Sequence, residues 1–334
     1  MRFVYRTEKK VFAIKRKVFL TEPIDQTGIE FLEHHGFDAV VGDGSASVGQ
    51  ALIDACRGYE AVLTRYGKFT REVIENCPQL KIISVHGVGV DGIDVDAATE
   101  LGVQVTNSAL GNQQSVAEFT IALMLSAAKR IIEYHTLTKA GHMAQARTLY
   151  GSEVRGKTLG IIGMGKIGSQ VARIASIGLG MKVIAYNRHI SHPQQSELGL
   201  LTPSMDEVVQ NADFLSLHLP INSATYHLLD ARRLHLMKPT AWLINAGRGQ
   251  LVDEGELVSM LEKGEIAGAA VDVVESNLPN DDNPLLKLDN VLITPHTASF
   301  TKESLERSAY QSALGIVEFF EERSLTYPVN QPER

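Results

Sequence analysis

The first third of the chain alternates short apolar runs with amphipathic helical patterns, starting at Val18. The apolar runs are typical of strands, and they read KVFLT, FDAVV, YEAVLT, KIISV and VQVT. The segments between them, such as ALIDACRG and REVIENC, have the apolar spacing of helices. Strands that alternate with helices predict a parallel sheet covered on both faces. We therefore expect a first strand at Val18 to Thr21 and an α/β domain built on it.

A second alternating series contains about six predicted strands: TLGIIG, KVIAY, DFLSLH, AWLIN, AGAAVDV and VLITPH. Six is also the number of strands in a doubly wound dinucleotide-binding fold. Between the two series, SVAEFTIALMLSAAKRIIEY predicts one long helix with an unusually apolar surface. We expect this helix to pack between domains or subunits. The segment Thr301 to Phe320 predicts a final helix that returns to the first domain.

Composition favours two globular domains and a small-molecule partner. The chain has 334 residues, 44% of them hydrophobic and 21% charged, with a formal net charge of −7. At roughly 150 residues per domain, this length predicts two domains. The negative charge gives no electrostatic attraction to nucleic acid or to an anionic membrane surface. No apolar run approaches the ~18 residues of a membrane span.

Cysteine usage and the N-terminus bear on the compartment. Cys56 and Cys77 have no CxxC or metal-ligand spacing, and two cysteines are too few for a disulfide framework in a chain of this length. We interpret both as buried filler and predict a cytoplasmic protein without a metal site. The stretch MRFVYRTEKKVFAIKRK is basic but lacks the continuous apolar segment of a secretory signal. We expect it to be a frayed extension.

The sequence Gly163-Met164-Gly165-Lys166-Ile167-Gly168 fits the dinucleotide-binding pattern GxGxxG. It follows the predicted strand Leu159 to Ile162 and opens a helical pattern, which is the context that such a site requires. The first glycine permits a tight turn, the second lets the backbone approach a pyrophosphate, and the third lets helix pack on strand. The phosphates then lie at the helix N-terminus. A plain glycine turn is the alternative, but the surrounding strand–helix–strand order favours cofactor binding.

The ribose-reading residue is expected about 20 positions after the glycines, at the end of the strand KVIAY. An Asp or Glu is typical of NAD sites there, but this chain has Asn187-Arg188-His189. The missing carboxylate would have repelled a 2′-phosphate, and the Arg188 guanidinium can bind one. The sequence therefore favours NADP over NAD. In the alternative, Arg188 stacks on the adenine of NAD or faces solvent.

Two further side chains with suitable chemistry follow strands of the second series. Arg248 lies in the motif Asn245 to Gly249 after the strand AWLIN, and a fixed guanidinium suits a carboxylate. His296 follows the strand VLIT, and an imidazole exchanges protons near neutral pH. Each residue also has a purely structural alternative. Arg248 is then a solvated side chain in a glycine-rich loop, and His296 is a histidine whose hydrogen bonds are satisfied by its neighbours. Their shared position at carboxyl ends of cofactor-domain strands favours a site.

Together these motifs resemble the D-isomer-specific 2-hydroxyacid dehydrogenase family, which includes phosphoglycerate dehydrogenases and glyoxylate/hydroxypyruvate reductases. The resemblance runs from about Val18 to Phe320 and rests on HGVGVDGID, VTN, SVAE, GMGKIG, LHLP, INAGRG, VDV and TPH. It implies an α/β fold of two doubly wound parallel-sheet domains. A Rossmann cofactor domain at 108–297 would be inserted in a flavodoxin-like substrate domain at 1–107 and 298–334. Dimerisation through the long helix is also implied.

The resemblance implies hydride transfer between NAD(P)H and a small 2-keto or D-2-hydroxy acid, such as glyoxylate, hydroxypyruvate or 3-phosphoglycerate. Arg248 would orient the substrate's carboxylate and carbonyl, and His296 would exchange the proton. The backbone amides of Val88 and Gly89 would hold the carboxylate, and Asp272 would contact the nicotinamide amide. The other implied cofactor-lining residues are His218, Leu219, Pro220, Thr225, Ala246 and Gly247.

One departure from the family pattern concerns the acidic partner of the catalytic histidine. The family places it five residues after the VDV aspartate, where this chain has Asn277, and the nearby Glu275 has the wrong offset. Either another group orients His296, or the pH behaviour and activity are altered. Arg65 and Lys68, after the strand YEAVLT, contact a charged substrate tail or face solvent, and the sequence favours neither.

A cofactor-sensing binding protein is the rival interpretation, because transcriptional corepressors of the same superfamily use this fold. The absence of a carboxylate at Asn277 supports it. The presence of Arg248, His296 and the loop GVGVD favours an enzyme, since a sensor needs none of them.

Overall fold

The computed structural model describes residues 16–189 and 192–333. The predicted frayed extension up to residue 15 lies outside the described residues. The chain forms two compact units, of which the first runs to Asn112 and resumes at Thr301, and the second comprises Gln113–Phe300. Among the described residues, no helix has the length and apolar character needed to cross a membrane.

The first unit is built on a five-stranded parallel sheet. Its strands are β1 (Arg16–Leu20), β2 (Phe37–Val41), β3 (Ala61–Thr64), β4 (Ile82–Val85) and β5 (Gln104–Asn107). Their spatial order, β2-β1-β3-β4-β5, is the flavodoxin-like order that the sequence predicted. Strand β1 begins two residues before Val18 and ends one residue before Thr21.

Helices cover both faces of this sheet. They are α1 (Gln26–His34), α2 (Gly49–Cys56), α3 (Arg71–Glu75), α4 (Val95–Glu100) and the returning helix α12 (Lys302–Phe320). Side chains of Asp25, Thr70, Asp94 and Thr301 accept first-turn amides and so fix where four of these helices begin. Helices α1 and α12 pack on one face, and α2, α3 and α4 pack on the other. The predicted final helix is thus observed, in the first unit.

The second unit contains an eight-stranded sheet in the order β13-β12-β11-β10-β6-β7-β9-β8. All neighbouring strands are parallel except β8 and β9. The strands are β6 (Thr158–Ile162), β7 (Lys182–Tyr186), β8 (Gln194–Ser196), β9 (Gly199–Thr202), β10 (Phe214–Leu217), β11 (Trp242–Asn245), β12 (Gly268–Val271) and β13 (Val291–Ile293). The order β9-β7-β6-β10-β11-β12 is the Rossmann order, which confirms the predicted fold class.

Sequence reasoning found six of these eight strands and missed the hairpin β8–β9. The hairpin lies in the segment SHPQQSELGLLT, whose polar residues interrupt any apolar run. Strand β9 nevertheless occupies the third Rossmann position, because it pairs in parallel with β7. Its pairing depends on a neighbour distant in sequence, which a local pattern does not report.

The prediction of one long central helix was wrong. The segment forms α5 (Gln113–Lys129), α6 (Ile131–Lys139) and the short α7 (Met143–Ala146). The break is at Arg130, whose φ of 51° is left-handed and cannot continue an α-helix. Helix α5 packs on the second unit's own sheet and on α8 (Lys166–Arg173), whereas no residue of α6 is buried.

Three further helices complete the second unit as far as it is described: α9 (Met205–Asn211), α10 (Ala231–Leu234) and α11 (Glu254–Lys263). Helix α8 continues into a π-helical turn at Ile174–Gly178. Short 3₁₀ turns lie at Gly249–Leu251 and Pro284–Lys287. The loops that follow the carboxyl ends of β6, β10, β11, β12 and β13 contain most of the predicted site.

Candidate active site

Six neighbouring strands of the second unit end on one row of register partners. Strand pairing aligns Tyr186, Ile162, Leu217, Asn245, Val271 and Ile293 across the sheet. The residues that follow them in the chain are Asn187, Gly163, His218, Ala246, Asp272 and Thr294. In-register parallel strands thus bring together, at one edge, loops from six different parts of the sequence.

Each of the three glycines in the loop after β6 is suited to its position for a different reason. A Cβ on Gly163, whose φ is 107°, would lie 2.5 Å from the His218 carbonyl oxygen. A Cβ on Gly168 would lie 2.1 Å from the Gly163 carbonyl oxygen, so any side chain there would separate helix α8 from the turn. A Cβ on Gly165 would meet no atom within 4 Å. That open space beside the start of α8 is where a bound pyrophosphate requires close backbone approach.

The backbone donors of this loop also fit an anion. The amides of Met164, Gly165 and Lys166 donate to no acceptor within the described part of the chain. They point out of the first turn of α8, in the arrangement that binds phosphate groups. Ile167 is half-buried and packs with the core beneath the loop. The loop is therefore suited to hold a dinucleotide.

The end of β7 presents a guanidinium and an amide at the ribose-reading position. The Asn187 side-chain oxygen accepts the His189 backbone amide at 2.9 Å. The backbone amide of Asn187 donates to the Thr202 carbonyl at 2.9 Å. Arg188 is exposed, with its Nε 3.3 Å from His189 Nε2. This geometry is compatible with phosphate binding and with adenine stacking.

The turn after β10 forms a second wall beside the glycine loop. The amide of His218 donates to the Ile162 carbonyl at 2.8 Å, and its ring Nε2 lies 2.9 Å from the hydroxyl of Ser216. Burial lowers the pKa of His218 to about 4, so its ring is neutral near pH 7. Beyond Leu219, the Thr225 hydroxyl donates to the Pro220 carbonyl and accepts the Asn222 amide, each at 2.8 Å. These contacts fix the turn.

The backbone at Arg248 is held by Asn245, a buried residue at the end of β11. The Asn245 amide group donates to the Arg248 carbonyl at 2.9 Å, and its oxygen accepts the Gly247 amide at 3.0 Å. Gly249 cannot be replaced, because a Cβ there would lie 1.8 Å from the Val274 carbonyl oxygen. Sequence reasoning included Asn245 in the motif but gave it no role. The available signal was the residue type, because asparagine side chains commonly bond to the backbone of the residues that follow them in a turn.

His296 follows β13 in a loop that is bonded to the end of β12. Its amide donates to the Asp272 carbonyl at 2.8 Å, and its φ of 54° is left-handed. Asp272 is fully buried, and its carboxylate accepts donors from the same loop. The backbone of the predicted proton-exchange residue therefore depends on Asp272.

Asn277 and Glu275 lie in the turn after β12. Asn277 has an amide at the family's acidic position, and the Glu275 carboxylate has other partners. Asn277 is exposed with a φ of 74°, and its amide donates to the Val274 carbonyl at 2.8 Å. Glu275 Oε1 accepts the Tyr226 hydroxyl at 3.0 Å and lies 2.8 Å from His227 Nε2. The hydrogen bond to Glu275 raises the pKa of Tyr226. Sequence reasoning missed this Tyr226–His227–Glu275 cluster.

The first unit has its own set of unbonded amides at the carboxyl end of β4. The amides of Val88 and Gly89 donate to no acceptor among the residues that the structure describes. The neighbouring carbonyls are occupied: Asn107 Nδ2 donates to Val88 at 2.7 Å, and the Ser108 amide donates to Gly87 at 2.9 Å. A Cβ on Gly87 would meet nothing within 4 Å. The loop is thus fixed with its donors unused, as a carboxylate site requires.

His86 lies directly before this loop and is buried, with its Nε2 unpartnered within the described structure. Burial, with the Arg65 guanidinium nearby, lowers the pKa of His86 to about 4. Arg65 also lies over the ring of Tyr66, 5.0 Å from its centre, while Lys68 is exposed. Arg65 thus acts electrostatically on His86, the residue before this loop, whereas Lys68 is exposed to solvent.

Two further expectations concern cysteines and metals. Cys56 and Cys77 are both free and buried, and burial raises the pKa of Cys56 to about 12. Both are core residues of the first unit, as expected. In the described ranges, no group of three His, Cys, Asp or Glu side chains is placed to hold a metal ion.

Comparison with known proteins agrees with this geometry. Residues 121–298 match the family model described as "D-isomer specific 2-hydroxyacid dehydrogenase, NAD binding domain". Glyoxylate reductase of Aeropyrum pernix is 38% identical over 91% of this chain and 92% of its own length. D-3-phosphoglycerate dehydrogenase of Archaeoglobus fulgidus is also 38% identical, over 86% of this chain, which spans only 54% of that protein.

Solved structures show the same likeness. D-lactate dehydrogenase of Aquifex aeolicus, complexed with NAD and lactic acid, has a TM-score of 0.83 at 30% identity, over 95% of this chain and 100% of that one. The NADPH-dependent glyoxylate/hydroxypyruvate reductase of Sinorhizobium meliloti, in complex with NADP and malonate, has a TM-score of 0.83 at 27% identity, over 96% and 99%. By its family model, its relatives and its fold, the chain belongs to the D-isomer-specific 2-hydroxyacid dehydrogenase family.

Proposed function

We propose that this protein reduces a small 2-keto acid to the D-2-hydroxy acid with NADPH, using Arg248 and His296. Family membership makes it a nicotinamide-dependent oxidoreductase of 2-keto and 2-hydroxy acids. The observation that supports the specific assignment is the row of strand ends, because it brings Arg248, Asp272 and His296 to the same edge as the glycine loop. The relatives named above are all oxidoreductases, and the corepressor alternative is supported only by the missing carboxylate at Asn277.

The residues proposed to hold the cofactor all lie in the second unit. The amides of the Gly163–Gly168 loop would bind the pyrophosphate, with Lys166 and Ile167 at the start of α8. Asn187 and Arg188 would meet the ribose and its 2′-phosphate. The remaining contacts are assigned to His218, Leu219, Pro220, Thr225, Ala246, Gly247 and Asp272. When bound, the nicotinamide supplies the hydride, and the protein supplies orientation and a proton.

In the proposed reduction, two side chains have different roles. Arg248 polarises the carbonyl oxygen and fixes the substrate's carboxylate through charge-assisted hydrogen bonds. His296, in its protonated form, donates a proton to that oxygen as charge develops on it. The reverse reaction uses the neutral imidazole to accept the proton.

In the first unit, the amides of Val88 and Gly89 are proposed to bind the substrate's carboxylate. Both are unused donors on a loop that Asn107 and Ser108 hold in place. Arg65, near His86 in the same unit, is proposed to meet a charged or polar group beyond the keto acid. The proposed substrate is a small keto acid such as glyoxylate or hydroxypyruvate, or a D-2-hydroxy acid such as 3-phosphoglycerate in the reverse direction.

The direct test is a turnover assay with glyoxylate, hydroxypyruvate and 3-phosphohydroxypyruvate, each with NADPH and with NADH. We expect reduction of at least one keto acid and a product of D configuration. Absence of keto-acid-dependent oxidation with either cofactor would overturn the proposed function. The oxidation of 3-phosphoglycerate by NADP and NAD tests the reverse reaction.

We also propose that the protein is a homodimer and works in the cytoplasm. The segment after α5 exposes four large apolar side chains, Ile131, Ile132, Met143 and Tyr150, the last of them 82% exposed. Exposed apolar side chains close together in the sequence support an interaction surface. Sedimentation should give two chains per particle, and Ile132→Glu should release single chains. A single chain per particle for the unaltered protein contradicts the dimer, and cell fractionation tests the compartment.

Arg248→Ala and His296→Ala should differ kinetically, because the two groups act at different stages. Arg248 binds both ground and transition states, so its loss should raise KM for the keto acid and lower kcat. His296→Ala should mainly lower kcat, by about 10²-fold to 10⁴-fold for a lost general acid. The exposed His235, in the same unit, provides the control variant His235→Ala, which should keep normal turnover. Full activity in His296→Ala would refute the assignment.

Arg188→Ala should weaken NADPH binding and spare NADH, because only NADPH has the phosphate that a guanidinium binds. Losing a hydrogen bond to a charged group should raise KM for NADPH by about tenfold or more. Arg173→Ala removes another arginine near the exposed end of α8 and should change neither KM. Equal losses for NADPH and NADH would show that Arg188 stacks on adenine instead.

Asn277→Glu should move the pH profile of keto-acid reduction upward by about one unit. A carboxylate beside an imidazole favours its protonated form, which is the form that donates the proton. The rate should then persist to higher pH before it falls, and hydroxy-acid oxidation should begin at higher pH. Asn277→Gln is the matched control, because it pays the same left-handed backbone cost without adding charge.

Glu275→Gln separates the two carboxylate positions. Glu275 is bonded to Tyr226 and His227, so this variant should leave the profile in place. If Glu275→Gln lowers the profile while Asn277→Glu has no effect, Glu275 is the partner of His296 and the account of Asn277 is wrong.

A further inference from the structure

A buried carboxylate organises the loop that contains His296. Asp272 follows β12 and has no exposed surface. Its Oδ1 accepts the Thr294 hydroxyl at 2.6 Å and the Thr297 amide at 2.9 Å, with the Thr297 hydroxyl at 3.5 Å. Its Oδ2 accepts the Ala298 amide at 2.8 Å. A single side chain thus bonds to the residues on both sides of His296.

The main chain of Asp272 adds two hydrogen bonds to these contacts. Its carbonyl accepts the His296 amide at 2.8 Å, and its amide donates to the Asn245 carbonyl at 2.8 Å. The Thr294 amide donates to Val271, directly before it, at 3.0 Å. The His296 loop is therefore tied to the end of β12 and, through Asn245, to the strand that precedes Arg248.

His296 needs such support because of its backbone conformation. Its φ of 54° is left-handed, a region that residues other than glycine adopt at a free-energy cost. Such a conformation persists only where surrounding contacts determine it. Here these contacts include the bonds from the Asp272 carboxylate and carbonyl to residues 294 and 296–298.

The Asp272 carboxylate is also paired with no cation among the described residues, and its stability in the core depends on these N–H and O–H donors. An ionised carboxylate has about four acceptor positions, and Oδ2 has only one donor here. The contact with a nicotinamide carboxamide that is proposed for Asp272 would add a further donor to Oδ2.

We propose that Asp272 is a positioning residue for His296, which it fixes through Thr294 and the amides of Thr297 and Ala298. This role also links the cofactor contact to the proton donor, because one carboxylate serves both. The inference rests on the proposed function, but the geometry that it concerns can be measured without turnover.

Thr294→Val tests the proposal with the least disturbance, because valine keeps the shape of threonine and removes only the hydroxyl that Asp272 accepts. We expect kcat for keto-acid reduction to fall by about tenfold, as for a lost hydrogen bond to a charged group. KM for NADPH should stay within about twofold, since Asp272 itself is unchanged. Thr294→Ser restores the hydroxyl and should recover kcat.

Thr120→Val is the matched control. Thr120 is a buried threonine of the same unit, and its hydroxyl donates to the Val116 carbonyl at 2.7 Å within α5. Its replacement removes a buried hydroxyl of the same kind, far in sequence from the His296 loop, and should leave kcat unchanged. An equal fall in kcat for both variants would show a general loss of packing and overturn the proposal.

The second measurement is the NMR signal of the His296 ring in the cofactor-free protein, assigned by its disappearance in His296→Ala. Thr294→Val should shift or broaden this signal, and Thr294→Ser and Thr120→Val should not. An unchanged His296 signal in folded Thr294→Val contradicts the positioning role. If the unaltered protein reduces no keto acid, the proposed function fails, and the NMR comparison still decides the role of Asp272.

The folded Asp272→Asn variant gives a further check. Its NH₂ group must face at least one of the donors that the carboxylate now accepts, so the loop should rearrange. We expect both a changed His296 signal and a raised KM for NADPH, in contrast to Thr294→Val, which should change only the first. A raised KM with an unchanged His296 signal would assign Asp272 to the cofactor alone.

Discussion

In-register parallel pairing ends six strands of the second unit on one row, and the candidate chemistry depends on that alignment. Each strand contributes the residue that follows the row, from Asn187 at β7 to Thr294 at β13. A shift of one strand by a single residue would turn its side chains to the opposite face and displace its loop. Apolar residues are buried along both faces of the sheet, so such a shift would exchange the two sets of side chains and disrupt the packing of each face against its helices. Packing of the core thus fixes the spacing of the site.

The same edge contains polar groups that the core would otherwise exclude, and each is satisfied by the loops it organises. Asn245 and Asp272 are both buried, and each bonds to the backbone of a loop beyond its strand. Removing either would leave buried donors without acceptors, which costs about 1–3 kcal/mol for each group. These residues therefore stabilise the fold and set the positions of Arg248 and His296 at once. His218 lies at the same edge, where burial lowers the pKa of its ring and keeps it neutral near pH 7.

Local patterns were sufficient to predict the fold class, because both strand series and the Gly163–Gly168 loop are visible over short windows. The hairpin β8–β9 was missed since its residues are polar and its pairing with β7 is non-local. The break at Arg130 was missed because no glycine or proline marks it, and tertiary packing of α5 overrides the helical pattern there. In the candidate site, the positions of Arg248 and His296 after strand ends were predictable from motifs. The residues that hold the loops of the site, such as Asn107 at Val88 and Thr294 at Asp272, were not, because each contact joins separate loops.

Asn277 shows how a backbone constraint and a chemical requirement can compete at one position. Its left-handed φ of 74° closes a turn onto Val274, and asparagine tolerates this conformation better than glutamate does. A carboxylate partner of a catalytic histidine does two things, since it orients the ring and it stabilises the protonated form. Contacts to the backbone, such as those from Asp272, can take over the first task but add no comparable charge beside the ring. In the same turn, Glu275 is bonded to Tyr226 and His227. The conformation at position 277 is thus satisfied by a residue that lacks the family's carboxylate, so the backbone requirement of the turn and the chemical requirement of the family pattern are met by different residue types.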